Sequence, residues 1–326
     1  MTYKTINTVG TGYSGASAIY EFLQKTKLFY DPFPNSQFSI SYDPGGLLDL
    51  ENVIKNQFTI NKSTLAHKKF FELIKFYCDQ NSRFKTGKNL IKYNKHLNNL
   101  LKNFLNSIIV LEYNGETALT NYNSGLYEQL KFKILNYLYK FKKEKRKNRK
   151  KLFMFCDIEI FEKEVKKLFS EIFIINNKHE KDIILEHAGT IFHPKSSLKY
   201  FSNPYSLCVF RDPRDIFSEL KRKNFKFPGY NVEIFCSWYE NIQKKINLEE
   251  KLDQKVFFLN FEDFVIKKNE TINKIFDHIE HDRLEINKVD FNFNRCESNI
   301  NLFKTELNKK EIEYIEKKLK KYLYSF

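Results

Sequence analysis

The sequence predicts an α/β fold of the P-loop type, in three layers with a central parallel sheet. It predicts one domain over 1–326, with a mainly helical insertion at about 60–150. Three observations carry this reading. A strand-like start runs through a glycine-rich turn into a helix, "VGTGYSGASAIYEFLQ" (Val9–Gln24). From 151 onward, apolar strand-like runs alternate with helical stretches, as in parallel sheets covered on both faces. Between these parts, about 60–145 reads with helical periodicity.

Taken in order, 5–10 reads as a strand and 16–26 as a helix. "YDPFPNSQFSISYDPGG" (Tyr30–Gly46) holds three prolines and two glycines and reads as an irregular lip over a site. In the insertion, Leu97, Leu101, Phe104 and Ile108 form one apolar stripe. Leu126, Leu130, Ile134, Leu138 and Phe141 form another. Both are expected to face a core. "KKEKRKNRKK" (142–151) follows, with eight positive charges and one negative. It reads as an exposed helix end or loop, or as an anion-binding arm.

The later strands are "KLFMFCD" (151–157), "KDIILEH" (181–187), "YSLCVFRD" (205–212) and "KVFFLNFED" (255–263). Helices are expected at about 160–173, 195–201, 213–224, 231–252 and 264–278. An amphipathic helix closes the chain at Asn308–Leu323.

Composition narrows the class. Hydrophobic residues make up 42% and charged residues 29%, which fits a globular rather than a disordered chain. No apolar run reaches the roughly 18–20 residues of a membrane helix. The start lacks the basic and apolar pattern of a secretion signal, so a cytoplasmic protein is expected. Five cysteines, an odd number without metal-ligand spacing, read as buried free thiols. A net charge of +15 favours an anionic partner.

The glycine turn admits three readings. Gly10, Gly12 and Gly15 fit a dinucleotide fingerprint, with Asp31 as the ribose carboxylate. Gly10, Gly15 and Ser17 fit a triphosphate P-loop, but Ala16 stands where its lysine belongs. In the third reading, loop amides and the helix N-terminus cradle a 5′-phosphate without that lysine or a metal. Thr11, Ser14 and Ser17 would line such a cradle. That reading requires a second phosphate-binding element. "SLCVFRDPRDIFSELKRKN" (Ser206–Asn224) supplies one, with Arg211 at the carboxyl end of a strand, placed for a charge-assisted bond to phosphate. The bland alternative is an Arg–Asp network that caps the helix.

With both motifs on the page, the chain resembles the sulfotransferases that use 3′-phosphoadenosine-5′-phosphosulfate. Those enzymes pair a "GTGRSGTT"-type loop with a later "VRDPRD…S"; here stand "GTGYSGAS" and "FRDPRDIFS". "VFFLNFEDFVIKKNETINKIFDHI" (Val256–Ile279) is similar to the family's strand, acidic turn and helix. "CESNINLFKTELNKKEIEYIEKKL" (Cys296–Leu319) is similar to its C-terminal loop and last helix. The resemblance covers 5–25 and 181–326.

It implies a nucleotide donor held by Gly10–Ser17 (including Tyr13 and Ala16), Arg211, Ser218 and Lys304, with no metal. The sequence departs from the family at two places. Tyr13 stands where the family carries a cation that stabilises the leaving oxygen; Lys304, Arg214 and Arg222 are possible substitutes. The family serine lies eight residues after the arginine, whereas Ser218 lies seven after Arg211 and Glu219 occupies position eight.

Sulfuryl transfer needs a base for the acceptor hydroxyl. His187 and then Glu186, in "EHAG", are the candidates, with Tyr13 as a hydrogen-bond donor at the leaving oxygen. His193, Asp43 and Asp49 rank lower. The resemblance implies a carbohydrate or lipid-linked glycan acceptor, with a protein tyrosine or a small molecule as the alternative. The basic run 142–151 suggests peripheral contact with the inner face of a membrane, and nucleic acid is not an expected partner. Two rival readings remain: an NAD(P)-dependent Rossmann-type enzyme, and a non-catalytic member that binds nucleotide or anionic glycan.

Overall fold

A computed structural model describes residues 3–78, 87–115, 117, 126–142, 150–175, 177, 180–223, 228–246 and 253–325. β1 (Thr5–Gly10) enters α1 (Ala16–Lys25) through the glycine turn. Residues 31–46 carry no helix or strand. Then follow α2 (Leu47–Lys55), α3 (Ile60–Cys78), α4 (Leu97–Ser107), β2 (Ile109–Gly115), α5 (Leu126–Lys142), β3 (Lys150–Phe155) and α6 (Ile158–Ile174). The remainder holds β4 (Ile183–Glu186), β5 (Pro204–Phe210), α7 (Pro213–Arg222), α8 (Val232–Lys245) and β6 (Val256–Asn260). Short helices α9 (Phe261–Ile266), α10 (Lys268–His278), α11 (Phe293–Glu297), α12 (Phe303–Glu306) and α13 (Lys309–Lys318) complete it. The chain forms two compact units, 1–41 with 173–326 and 42–172.

The first unit is built on a parallel sheet in the order β4-β1-β5-β6. Strand alternation sends successive side chains to opposite faces. Ile6, Leu207 and Val209 pack with Ile19, Phe22 and Leu23 of α1 and with Phe264, Ile272 and Phe276 of α9 and α10. Val9, Cys208 and Val256 pack on the other side with Ile191 and Ile246. A further cluster joins α7, α8 and α13 through Ile216, Phe217, Phe235, Tyr239 and Ile315. This is the α/β fold with a central parallel sheet that the sequence predicts.

The helix expected at 195–201 is only a single tight turn at Ser196–Leu198. Serine hydroxyls compete with helix formation here. Ser197 Oγ accepts from the Thr190 N–H, and Ser206 Oγ donates to the Pro194 carbonyl.

Two expectations need correction in the second unit. "KLFMFCD" does not join the central sheet; β3 pairs antiparallel with β2 in a separate two-stranded sheet. β2 lies inside the stretch read as helical. Its signal was the run Ile108–Ile109–Val110, three β-branched residues that suit a strand.

The second correction concerns the apolar stripes. Leu97, Leu101, Phe104 and Ile108 are buried as expected, but Leu126, Leu130, Ile134 and Leu138 are exposed. Phe70 and Phe161 close the core around Phe104. Thr64 Oγ1 accepts from the Phe153 N–H, and the His67 ring stacks on Phe153 at 3.7 Å, tying α3 to β3.

All five cysteines are free and buried. Burial pushes the Cys78, Cys236 and Cys296 thiols up to about 11.

Candidate functional site

The parallel strands bring the sequence motifs to one edge. Thr8 pairs with Glu186, Gly10 with Val209 and Phe210 with Asn260. The stretches "EHAG", "GTGYSGAS", "RDPRD" and "FEDF" therefore all begin at the carboxyl edge of the sheet, where α/β folds bind ligands.

The glycine turn folds tightly over the end of β1. A side-chain carbon on Gly10 would lie 1.7 Å from Ser14 Oγ. Gly15 has φ +89°, and a carbon there would lie 2.3 Å from the Phe261 ring. Gly12 and Tyr13 are also left-handed, at φ 87° and 55°, so the turn is a sequence of unusual backbone states that glycine permits. No side chain caps the N-terminus of α1, and its first turn holds no acidic residue. Such an end favours an anion. Thr11 and Ser14 are buried, as is Ala16. Ser17 Oγ donates to Glu186 Oε1 at 2.5 Å, which joins the loop to a candidate base.

The turn after β4 is clamped to β1. The His187 N–H donates to the Thr8 carbonyl, and the Ala188 N–H to Asn7 Oδ1. His187 itself is left-handed, at φ 49°. Asp31 is committed elsewhere: Oδ2 accepts from Tyr20 and Gln24, and Oδ1 from the Phe33 N–H. Burial raises its pKa, and the Glu186 charge adds to that rise.

Arg211 is buried, 3% exposed, and its guanidinium spans three motifs. Nη1 donates to the Tyr13 carbonyl at 3.0 Å and to Glu219 Oε2 at 2.6 Å; Nη2 donates to the Asn299 carbonyl at 2.8 Å. Its Nε is buried without a hydrogen-bond partner. Burial alone would raise the Glu219 pKa, but Lys223 and Arg211 outweigh it and hold the carboxyl low. Asp215 accepts from the Asn301 and Phe303 N–H groups, which fixes the C-terminal loop to the start of α7. Glu262 Oε1 accepts from the Asp212 N–H. Asp212 in turn accepts from Arg214 and from the Tyr324 N–H.

The other predicted residues are distributed as follows. Ser218 is buried and donates back to the Arg214 carbonyl. Lys304 and Arg222 are exposed. Arg214 is held by Asp212 and Glu316 over the Phe303 ring. His193 is exposed. Asp43 and Asp49 belong to the second unit, where Asp43 accepts from Tyr77 and Asp49 from the Gly45 N–H. The basic run falls largely on 143–149, outside the described residues.

Lys223 was missed by sequence reasoning. Its Nζ lies 5.0 Å from the Tyr13 ring centroid and 2.6 Å from Glu219 Oε1. The signal available was its place in "ELKRKN", four residues after Glu219 on the same helical face.

A cavity of about 780 Å³ opens at the amino-terminal edge of the sheet, lined by Lys195, Lys199, Ser206 and Lys255. It lies at the far end of the strands from the glycine turn. Among the described residues, no group of three or more His, Cys, Asp or Glu is placed to hold a metal ion.

No protein-family model matches the chain, and no curated protein matches it in sequence. Among solved structures, it is similar to the sulfotransferase domain of the olefin synthase from Synechococcus PCC 7002, at 10% identity and a TM-score of 0.40. That match covers 99% of this chain and 95% of the other. It is also similar to the sulfotransferase STF9 from Mycobacterium avium, at 12% identity and a TM-score of 0.38, covering 98% of this chain and 76% of that one.

Proposed function

We propose that the protein is a sulfotransferase that moves a sulfuryl group from 3′-phosphoadenosine-5′-phosphosulfate to an acceptor hydroxyl, on a carbohydrate or a lipid-linked glycan. The observation that carries the reading is the convergence of four motifs at one sheet edge, with Arg211 joining the glycine turn to the C-terminal loop through the Tyr13 and Asn299 carbonyls. The residues fit an anionic nucleotide. α1 offers an uncapped N-terminus, Gly10 and Gly15 let the turn close tightly against Ser14 and Phe261, and Arg211 Nε is buried without a partner.

When bound, the donor supplies the sulfuryl group and a good leaving group. The chain's own residues do the rest. Amides of Gly12–Ser17 and the helix dipole hold the 5′ end. Lys223, drawn over Tyr13, supplies positive charge where negative charge grows. Glu186 takes precedence over His187 as base, because the Ser17 hydroxyl orients its carboxylate. A cytoplasmic location belongs to the same proposal.

A dinucleotide enzyme is less well supported. In that fold the strand after α1 lies beside β1. Here β1 is flanked by β4 and β5, and the stretch after α1 pairs instead with β4, through an isolated bridge from Tyr30 to Ile183.

Calorimetric titration with adenosine 3′,5′-bisphosphate, 5′-AMP and NAD tests the reading. The bisphosphate is expected to bind most tightly. Equal affinity for bisphosphate and 5′-AMP would overturn the donor assignment, and tight NAD binding would favour the dinucleotide rival. Transfer of labelled sulfate separates an enzyme from a non-catalytic binder. Glu186→Gln is expected to cut that transfer by about 100-fold while leaving bisphosphate affinity intact.

A further inference from the structure

The second unit carries an apolar surface that the catalytic reading does not use. Leu126, Leu130, Ile134 and Leu138 of α5, the stripe expected to face a core, are 79%, 57%, 59% and 50% exposed. Tyr127 and Tyr137 are exposed beside them. At about 100° per residue, all six fall within an arc of about 120° on the helix. Lys133 lies just beyond one edge of that arc and Lys131 just beyond the other, and both are exposed.

Each element of this arrangement has a physical meaning. An apolar face left in water over several turns is unfavourable unless something covers it. Lysines on both borders exclude a purely apolar protein groove as the best complement, because they would be stripped of water against it. At the surface of an anionic bilayer the same lysines extend their stems along the apolar boundary and set their ammonium groups among lipid phosphates. The tyrosines suit the headgroup level, with an apolar ring and a polar tip. The sequence that follows, 142–151, adds eight positive charges against one negative, and such runs strengthen attraction to anionic lipid. α5 has 17 residues with charges along it, and among the described residues no helix is long and apolar enough to cross a membrane. The geometry is therefore that of a helix lying in the interface plane.

We propose that the Leu126–Leu138 face of α5 docks the protein on an anionic lipid bilayer, with the helix axis parallel to the membrane and Lys131 and Lys133 reaching the phosphates. Its occupant is the lipid surface itself, independent of the nucleotide site.

The test is co-sedimentation of the full chain with vesicles of phosphatidylcholine alone and of phosphatidylcholine with about a third phosphatidylserine. Binding is expected to the anionic vesicles and to be at least about tenfold weaker to the neutral ones. Leu130→Glu with Ile134→Glu is expected to reduce binding to anionic vesicles by more than about tenfold. Both side chains are exposed, so the fold, checked by circular dichroism, should be unchanged. Lys131→Glu with Lys133→Glu is expected to remove the preference for anionic lipid. Three results would each overturn the proposal. One is no sedimentation with anionic vesicles. Another is full binding by the Leu130/Ile134 variant, which would assign the effect to basic charge alone. The last is a concentration-dependent dimer that this variant abolishes while vesicle binding is absent, which would assign the face to a second copy of the chain.

Discussion

Arg211 Nη1 sits 2.6 Å from Glu219 Oε2, and the two side chains are eight residues apart on the turn and helix that follow β5. Position eight is where the resembled family places a serine. In this chain the position holds a carboxylate, which also pairs with Lys223. The arginine expected to hold a phosphate is thus already engaged with an internal anion and two backbone carbonyls, and only its Nε is left without a partner. A phosphate brought to this arginine must share it with Glu219, and the like charges repel.

Glu219→Gln is therefore expected to raise affinity for adenosine 3′,5′-bisphosphate by about tenfold or more. The amide still accepts from Arg211 but no longer repels phosphate. Affinity for 5′-AMP should change less, and calorimetry reads both. An unchanged bisphosphate affinity would show that the nucleotide's second phosphate lies elsewhere. Arg211→Met acts differently, because it leaves two carbonyls without their donor and Glu219 with Lys223 alone. It should cost about 3 kcal/mol or more in urea unfolding.

The strands and helices that frame this site were largely legible from residues alone. β1, α1, β5 and α7 fall within a few residues of their expected bounds, because glycine turns, apolar strand runs and an Asp212 cap are local signals. The partner of Arg211 was not legible. Whether a guanidinium meets a ligand or a carboxylate depends on rotamers and on a loop 88 residues away. Likewise, the periodicity of Leu126–Leu138 establishes an apolar face but not what covers it.

Gly15 carries two separate constraints, a left-handed backbone and the Phe261 ring 2.3 Å from any added carbon. Gly15→Ala is expected to lower stability by about 1–3 kcal/mol and to weaken bisphosphate binding, since the loop must shift. Adding Phe261→Leu should restore part of the stability and none of the backbone strain. A double variant no better than Gly15→Ala would show that the ring is not the obstacle.

Lys223 offers the cation that Tyr13 does not. Lys223→Met is expected to lower the sulfate-transfer rate by about 10- to 100-fold with little change in bisphosphate affinity, and Lys223→Arg should recover much of the rate. Equal loss of rate in the Met and Arg variants would reduce Lys223 to a surface partner of Glu219.

Glu262 supplies a test by pH. Its side chain is fully buried, Oε1 accepts from the Asp212 N–H, and Oε2 has no hydrogen-bond partner. Burial pushes its pKa up from 4.5 to about 7; the Asp212 N–H and Arg211 pull it down, while the Asp212 charge pushes it further up. A raised carboxyl means that the folded state holds the proton more tightly than the unfolded chain. The associated stability is present below about pH 4.5 and is lost as pH rises through about 7. Glu219 and Asp263, whose pKa values are lowered, act in the opposite sense as pH falls, so the raw profile mixes the two. Subtracting wild type from Glu262→Gln isolates the buried group, since glutamine mimics the protonated acid at every pH. The difference in unfolding free energy should be near zero at pH 4.5 and rise to about 3 kcal/mol in favour of glutamine by pH 8. A flat difference across that range would mean that Glu262 is ionised at no cost, and that the start of α9 tolerates a buried charge.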